Sequence, residues 1–182
     1  MIMQEPIERE LKILVSQDIY EKIIHSYDFT KPWKQTNTYF DTPDHSIKNQ
    51  KGAVRIRTIG DRHIFTLKIR KDAITHIELE KDIDQSNMQS ITDPEILNWF
   101  KEYQINKEQL SPITTFSTVR QTYDFEHGQL CADKTIYSNH IDYELEYEYF
   151  DQHDGISFFN QILEPFHITY IKNCPSKIAR AF

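Results

Sequence analysis

The sequence predicts an antiparallel, β-rich α+β fold, and two observations lead to it. Polar and apolar residues alternate with a period of two in segment after segment, which is typical of strands that bury one face. Helical spacing of apolar residues is confined to a few short stretches. The 182 residues contain no internal repeat and no Ser/Pro/Gly-rich linker, so one domain spanning residues 1–182 is expected.

Eight segments carry the strand pattern. They cover residues 7–15, 36–41, 53–59, 64–70, 74–83, 118–125, 130–136 and 142–150. Gly60-Asp61 and His127-Gly128 are turn signals, so we expect the segments on either side of each to pair as hairpins. Because strands outnumber helices, the expected sheet is antiparallel.

Four segments carry helical patterns. Ser16 is a candidate N-cap for a helix that continues to Tyr27. Asp93-Pro94 joins an N-cap residue to a proline at the first helical position. Apolar residues within 158–163 form a third helical face, and Ser176 is a candidate cap for a last turn that reaches Phe182.

Composition and charge exclude several function classes. With 21 Lys and Arg against 28 Asp and Glu, the net charge of −7 disfavours general nucleic-acid or membrane binding. The 4 glycines stand too far apart for a phosphate-binding loop, so side chains would have to hold any phosphate. The 2 cysteines form no CxxC pair, which suits a reducing compartment without structural zinc. With no leader-like segment or membrane-length apolar run, a cytoplasmic protein is expected.

The polar faces of the predicted strands are charged, and the charges are segregated by sign. The sets that share a face are Arg55 with Arg57, Glu78 with Glu80, and Glu144 with Glu146 and Glu148. A half-solvated sheet explains any one such strand. Several like-charged faces together are unfavourable, because clustered acids require a cation and clustered bases require an anion. Mg²⁺ or Mn²⁺ together with a polyphosphate would satisfy both.

If the strands curl until these charged faces meet, the sheet closes into a barrel with a polar lumen and with its helices outside. Motifs that carry this charge pattern follow one another along nearly the whole chain. They are Glu8-Arg9-Glu10-Leu11-Lys12, Tyr39-Phe40-Asp41-Thr42-Pro43, Ala53-Val54-Arg55-Ile56-Arg57, Thr66-Leu67-Lys68, Glu78-Leu79-Glu80, Arg120, Asp133-Lys134, Glu144-Leu145-Glu146-Tyr147-Glu148, and Ser176-Lys177 with Arg180. This order resembles the CYTH superfamily, also called triphosphate tunnel metalloenzymes, and most of all its bacterial single-domain branch.

The resemblance implies an eight-stranded antiparallel β-barrel, or tunnel, that binds a triphosphate and Mg²⁺ or Mn²⁺. The implied metal ligands are Glu8, Glu10 and Asp133, with one or two of Glu144, Glu146 and Glu148. The implied substrate-binding residues are Lys12, Arg55, Arg57, Lys68, Arg120, Lys134 and Lys177. Glu10, Lys12 and Glu80 are the implied catalytic residues. Two overlapping ExE pairs leave open which of the three late glutamates bind metal.

The leading functional hypothesis is metal-dependent hydrolysis of a small triphosphate, either inorganic triphosphate or an ester such as thiamine triphosphate. An adenylate cyclase that converts ATP to cyclic AMP would use the same lumen. A module that binds triphosphate, polyphosphate or nucleotide without turnover is the third possibility, and a charged scaffold is the fourth. Neither cysteine is expected on a charged face, so no covalent step is predicted. The expected partner is the substrate, and the chain is expected to be a monomer or a homodimer.

Overall fold

The computed structural model describes residues 6–150 and 153–182; residues 1–5 and 151–152 of the predicted 1–182 domain lie outside this range. Within it, eight strands form one closed barrel in the order β1-β5-β4-β3-β2-β6-β7-β8, with every neighbouring pair antiparallel. The strands are β1 (Ile7–Val15), β2 (Trp33–Asp41), β3 (Gly52–Ile59), β4 (Arg62–Arg70), β5 (Thr75–Ile83), β6 (Ser111–Phe125), β7 (Gly128–Ile136) and β8 (Ile141–Tyr149). The predicted eight-stranded antiparallel barrel is confirmed.

Local turn chemistry explains where the strand predictions succeed and fail. Gly60 has a positive φ of 57° in the turn between β3 and β4, as predicted for this hairpin. The next predicted turn is displaced by one residue, because Gly128 already pairs with Phe125 in the ladder. A Cβ on Gly128 would lie 2.6 Å from the carbonyl oxygen of Glu148, so close strand packing requires this glycine. Strand β6 begins at Ser111, seven residues before the predicted start at 118, because pairing with β2 extends it beyond its alternating segment.

Five α-helices lie within the described residues. They are α1 (Gln17–Ile24), α2 (Ser46–Asn49), α3 (Pro94–Glu102), α4 (Gly155–Leu163) and α5 (Lys177–Arg180), with short 3₁₀ turns at Met88–Ser90, Lys107–Gln109 and Glu164–Phe166. Ser16, Asp93 and Ser176 accept hydrogen bonds from backbone N–H groups at the starts of α1, α3 and α5, as predicted. Helix α2 was not predicted; its N–H groups at Ile47 and Lys48 bind the buried Asp41 carboxylate. None of the helices described has the length and apolar character to cross a membrane.

The apolar faces of the strands point outward and are covered by the helices. Helices α1 and α4 pack on β1, β7 and β8, where Ile23 and Phe159 contact a cluster that includes Leu11 and Leu145. Helices α2 and α3 cover β2, β3 and β4 in a second cluster, which includes Phe65. Each fully buried apolar side chain of this size contributes about 1.5–3 kcal/mol. The two larger hydrophobic clusters therefore lie outside the barrel, and the charged faces point to its interior.

Candidate functional site: a charged tunnel

Ion pairs that skip a strand establish that the charged faces share one interior. Lys68 of β4 lies 3.2 Å from Glu10 of β1, although β5 stands between these strands. Arg120 of β6 lies 2.5 Å from Glu146 of β8, across β7. Strands that are not neighbours can meet in this way only on the concave side of a closed sheet. The predicted lumen is therefore present and lined by side chains of both signs.

The first cluster joins β1, β4 and β5 around the amine of Lys68. Its Nζ lies 2.5 Å from Glu8 and 3.4 Å from Glu78, while Lys12 lies 2.7 Å from Glu10. Burial alone would raise the pKa of Glu10, but Lys68 and Lys12 outweigh it and lower that pKa to about 2. Burial raises the pKa of Glu8 well above its usual range, against the opposing effect of Lys68. Two adjacent carboxylates thus differ in proton affinity.

The second cluster joins β6, β7, β8 and the C-terminal helix α5. Arg120 donates two hydrogen bonds of 2.7 Å to the fully buried Asp133. Lys177 of α5 lies 2.9 Å from Asp133 and 2.5 Å from Glu146, and also contacts Glu144. Burial alone would raise the pKa of Asp133, but Arg120 and Lys177 hold it below its usual range. Five ionisable groups from three strands and a helix therefore meet inside the barrel.

Between the clusters, β3 contributes two arginines to the tunnel, Arg55 and Arg57. Arg55 lies 3.4 Å from Glu80, and Thr66 donates a 2.8 Å hydrogen bond to the same carboxylate. Arg57 donates to the amide oxygen of Asn37 at 3.1 Å and forms no ion pair within residues 6–150 and 153–182. Burial, with repulsion from Arg55 and Arg120, lowers the pKa of Arg57 to about 10. An unpaired guanidinium in such surroundings is a site for an anion.

Comparison with known proteins agrees with this geometry. The CYTH domain profile matches residues 6–182. The chain belongs to the CYTH domain family. A curated relative, YjbK of Bacillus subtilis (strain 168), is named as a candidate triphosphatase; it is 28% identical over 99% of this chain and 96% of its own length.

Two solved structures extend the comparison of the CYTH domain. A Bacillus halodurans protein named as a candidate adenylate cyclase superposes with a TM-score of 0.84 at 29% identity, covering 97% of this chain and 99% of that one. The Hippeastrum protein HpAC1 superposes with a TM-score of 0.79 at 22% identity, covering 96% and 94%. HpAC1 is described as a candidate adenylyl cyclase with a dominant triphosphatase activity. Because the identity is 22%, the comparison with HpAC1 shows a shared fold and nothing finer.

One predicted substrate-binding residue of this CYTH domain lies outside the tunnel. Lys134 follows Asp133 on β7, and neighbouring residues of a strand point to opposite faces. Its Nζ lies 6.0 Å from the ring centre of Tyr143, which stacks at a tilt on Tyr20 of α1 outside the barrel. The structure therefore places Lys134 outside the tunnel, apart from the other predicted substrate-binding residues.

The two cysteines also correct the sequence interpretation, because both lie beside tunnel carboxylates. The Cys131 sulfur lies within 4.8 Å of carboxylate oxygens of Glu146 and Glu148. Cys174 donates a 3.3 Å hydrogen bond to Glu144. Burial raises the pKa of the Cys131 thiol, and it raises that of Cys174 to about 12 with help from Glu144. Both therefore stay protonated near neutral pH, which keeps them from acting as nucleophiles.

The segment before α5 contains a residue that sequence reasoning missed. The ladder between β1 and β5 stops at the pair Arg9–Thr75. Beyond it, the Asn173 side chain accepts a 2.8 Å hydrogen bond from the Lys12 backbone N–H and donates one of 3.0 Å to the Glu10 carbonyl oxygen. Asn173 thus completes the edge of β1 at the two residues that carry tunnel charges. Arg180, which lies 2.6 Å from Glu144, was likewise not among the predicted site residues.

The donor atoms present fit a hard divalent cation. Glu8, Glu10 and His76 bring ligand atoms within 4.8 Å of one another, and so do Asp133, Glu144 and Glu146. Carboxylate oxygens are the ligands that Mg²⁺ and Mn²⁺ prefer. Burial, together with Lys68, lowers the pKa of His76 to about 4, so its ring is neutral at pH 7. Glu8 and Glu10 are well placed to hold such an ion, because a bound cation can replace Lys68 and Lys12 as their positive neighbour and leave those lysines to bind phosphate.

The stability of the metal-free protein is expected to depend on pH through Glu148. Burial raises the pKa of Glu148 to about 7, aided by Glu146 and Glu10 and opposed by Arg120. Between roughly pH 4.5 and 7 the folded state thus keeps a proton that the unfolded chain has lost. The Glu148 contribution to the free energy of unfolding therefore falls as pH rises through this window.

The measurement is urea unfolding of chelator-treated wild-type and Glu148→Gln protein at pH 5 and pH 8. Relative to the variant, wild type is expected to lose on the order of 2 kcal/mol between these pH values. A difference between the two proteins that is the same at both pH values would contradict the assignment.

Proposed function

We propose that this CYTH domain is a divalent-metal-dependent triphosphatase that hydrolyses inorganic triphosphate or a small triphosphate ester such as thiamine triphosphate. The observation that carries the proposal is Arg57, a tunnel guanidinium without an ion-pair partner among the described residues, beside Arg55. Two forks on one strand face match the oxygens of successive phosphoryl groups. The candidate triphosphatase YjbK, which aligns over 99% of the chain, supports the same reaction.

Most of the tunnel residues divide into a phosphate-binding set and a metal-binding set in this proposal. Arg55, Arg57, Lys68, Arg120 and Lys177 bind phosphate oxygens and offset the charge that develops on the transferred group. Glu8 and Glu10, with Asp133 and acids from Glu144, Glu146 and Glu148, hold Mg²⁺ or Mn²⁺. When bound, the ion polarises a phosphoryl oxygen and neutralises charge.

Water attack is assigned to the Glu80 side of the tunnel. Arg55 and Thr66 hold the Glu80 carboxylate at 3.4 Å and 2.8 Å, so its orientation is set before substrate arrives. Glu80 accepts the proton of the attacking water. Lys12, paired with Glu10 at 2.7 Å, remains cationic and stabilises the leaving phosphate oxygens. Neither cysteine is assigned a nucleophilic role, because both thiols are protonated, so the water attacks the phosphoryl group directly.

The test is phosphate release by the purified protein from inorganic triphosphate, thiamine triphosphate and ATP. With Mg²⁺ or Mn²⁺, we expect release of inorganic phosphate from at least one of these substrates, and none in the presence of a chelator. Formation of pyrophosphate and cyclic AMP from ATP would instead identify an adenylate cyclase, the activity suggested by the name of the Bacillus halodurans relative. Tight triphosphate binding in calorimetry without phosphate release would identify a binding module.

A further inference from the structure

His76 stands beside the two glutamates of β1 inside the tunnel. It pairs in register with Glu8 across the short β1–β5 ladder. Its Nδ1 atom lies 3.7 Å from Oε1 of Glu10, and ligand atoms of Glu8, Glu10 and His76 all lie within 4.8 Å of one another. Three donors from two strands thus converge on one point of the lumen.

The Nδ1 atom of His76 is buried and makes no hydrogen bond within the described residues. A buried polar atom left in this way costs about 1–3 kcal/mol, so a histidine kept only for packing would be unfavourable here. The 3.7 Å gap to Glu10 is too long for a hydrogen bond. It does fit two ligands of one ion, because atoms that each lie about 2.0–2.2 Å from a cation are at most about 4.4 Å apart.

We propose that His76 supplies a nitrogen ligand to the divalent cation held by Glu8 and Glu10, and that it shifts the preference of this site from Mg²⁺ towards Mn²⁺. Both ions bind carboxylate oxygens, but Mn²⁺ is the softer of the two and accepts an imidazole nitrogen more readily than Mg²⁺, which keeps a shell of oxygen atoms. A mixed site with two carboxylates and one imidazole therefore binds Mn²⁺ more tightly relative to Mg²⁺ than an all-oxygen site does. The inference rests on the proposed function, since it concerns the metal of that same tunnel.

The direct test is pulsed electron paramagnetic resonance of the whole protein with two equivalents of Mn²⁺ and no substrate. We expect ¹⁴N modulation from a coordinated imidazole in wild type, and its replacement by the ¹⁵N pattern when histidine alone is labelled with ¹⁵N. This labelling experiment needs no substitution, so it does not depend on the folding of a variant.

Substitution assigns the nitrogen to one residue. In His76→Gln and His76→Leu, the modulation is expected to disappear, and the Kd for Mn²⁺ measured by calorimetry is expected to rise about tenfold. The Kd for Mg²⁺ should change much less. His63→Gln is the matched control, because its ring is already bonded to Thr58 at 2.9 Å; it should keep the wild-type signal.

The outcomes separate this inference from the proposed function. Mn²⁺ bound by wild type without nitrogen modulation, or modulation that persists in both folded His76 variants, would overturn the histidine ligand and leave the triphosphatase proposal standing. A wild-type protein that binds neither Mn²⁺ nor Mg²⁺ would overturn both.

Discussion

Phosphate release by a Glu10→Gln protein is expected to fall by about three orders of magnitude at saturating triphosphate and metal. Glu10 is 3% exposed, and its pKa of about 2 keeps it ionised at any pH at which the protein would be assayed. The amide keeps the size of the side chain but removes the charge that pairs with Lys12 and Lys68 and that would bind the proposed cation. The measurement is steady-state phosphate release, with circular dichroism to verify the fold.

Asp82→Asn is the matched control for this loss. Asp82 is a carboxylate on the charged face of β5, but it is 62% exposed and pairs with the exposed Arg62. Its removal should leave turnover within about twofold of wild type, because an exposed ion pair is weak. Glu10→Gln protein that is folded and retains wild-type turnover would remove Glu10 from the catalytic machinery.

Replacing Arg120 by Ala is expected to produce the largest loss of stability, about 3–5 kcal/mol in the free energy of unfolding. The guanidinium binds Asp133 through two hydrogen bonds and Glu146 through a third, and Asp133 is wholly buried. Without Arg120, Lys177 is the one ion-pair partner that both carboxylates keep among the residues that the structure describes. Leaving a buried charge without its partner costs much more free energy than the intact pair contributes to stability. Urea unfolding of the metal-free protein measures the effect.

Two further variants control the Arg120 result. Arg62→Ala removes an arginine that is 63% exposed, and its effect should stay within about 0.5 kcal/mol. Arg120→Lys keeps the charge but loses the bidentate fork, so it should fall between wild type and Arg120→Ala. An Arg120→Ala protein as stable as wild type would mean that the cluster on β6, β7 and β8 adjusts without this arginine.

The barrel could be predicted because, within each strand, charged residues alternate with apolar ones and so indicate two different environments. In β3, Arg55 and Arg57 alternate with Val54 and Ile56, and the structure places the first pair inside and the second pair under α2 and α3. The same alternation identified the charged face of β1. A period of two is a property of neighbouring residues, so it is visible without knowledge of the fold.

The missed residues depend on contacts between distant parts of the chain. Asn173 binds the backbone of Glu10 and Lys12, which lie more than 160 positions earlier in the sequence. No periodic pattern surrounds it, so nothing local indicates its role. The placement of Lys134 was missed for a local reason. Its sequence neighbour Asp133 faces the tunnel, and side chains alternate along a strand, so Lys134 faces outward.

A crystal structure of the protein with Mn²⁺ and the slowly hydrolysed analogue imidotriphosphate would test the shared tunnel most directly. We predict phosphoryl oxygens within hydrogen-bond distance of Arg55 and Arg57, and an anomalous Mn²⁺ peak against Glu8 and Glu10 inside the barrel. An analogue bound on the outer surface, with Glu8 and Glu10 still paired to Lys68 and Lys12, would contradict the account.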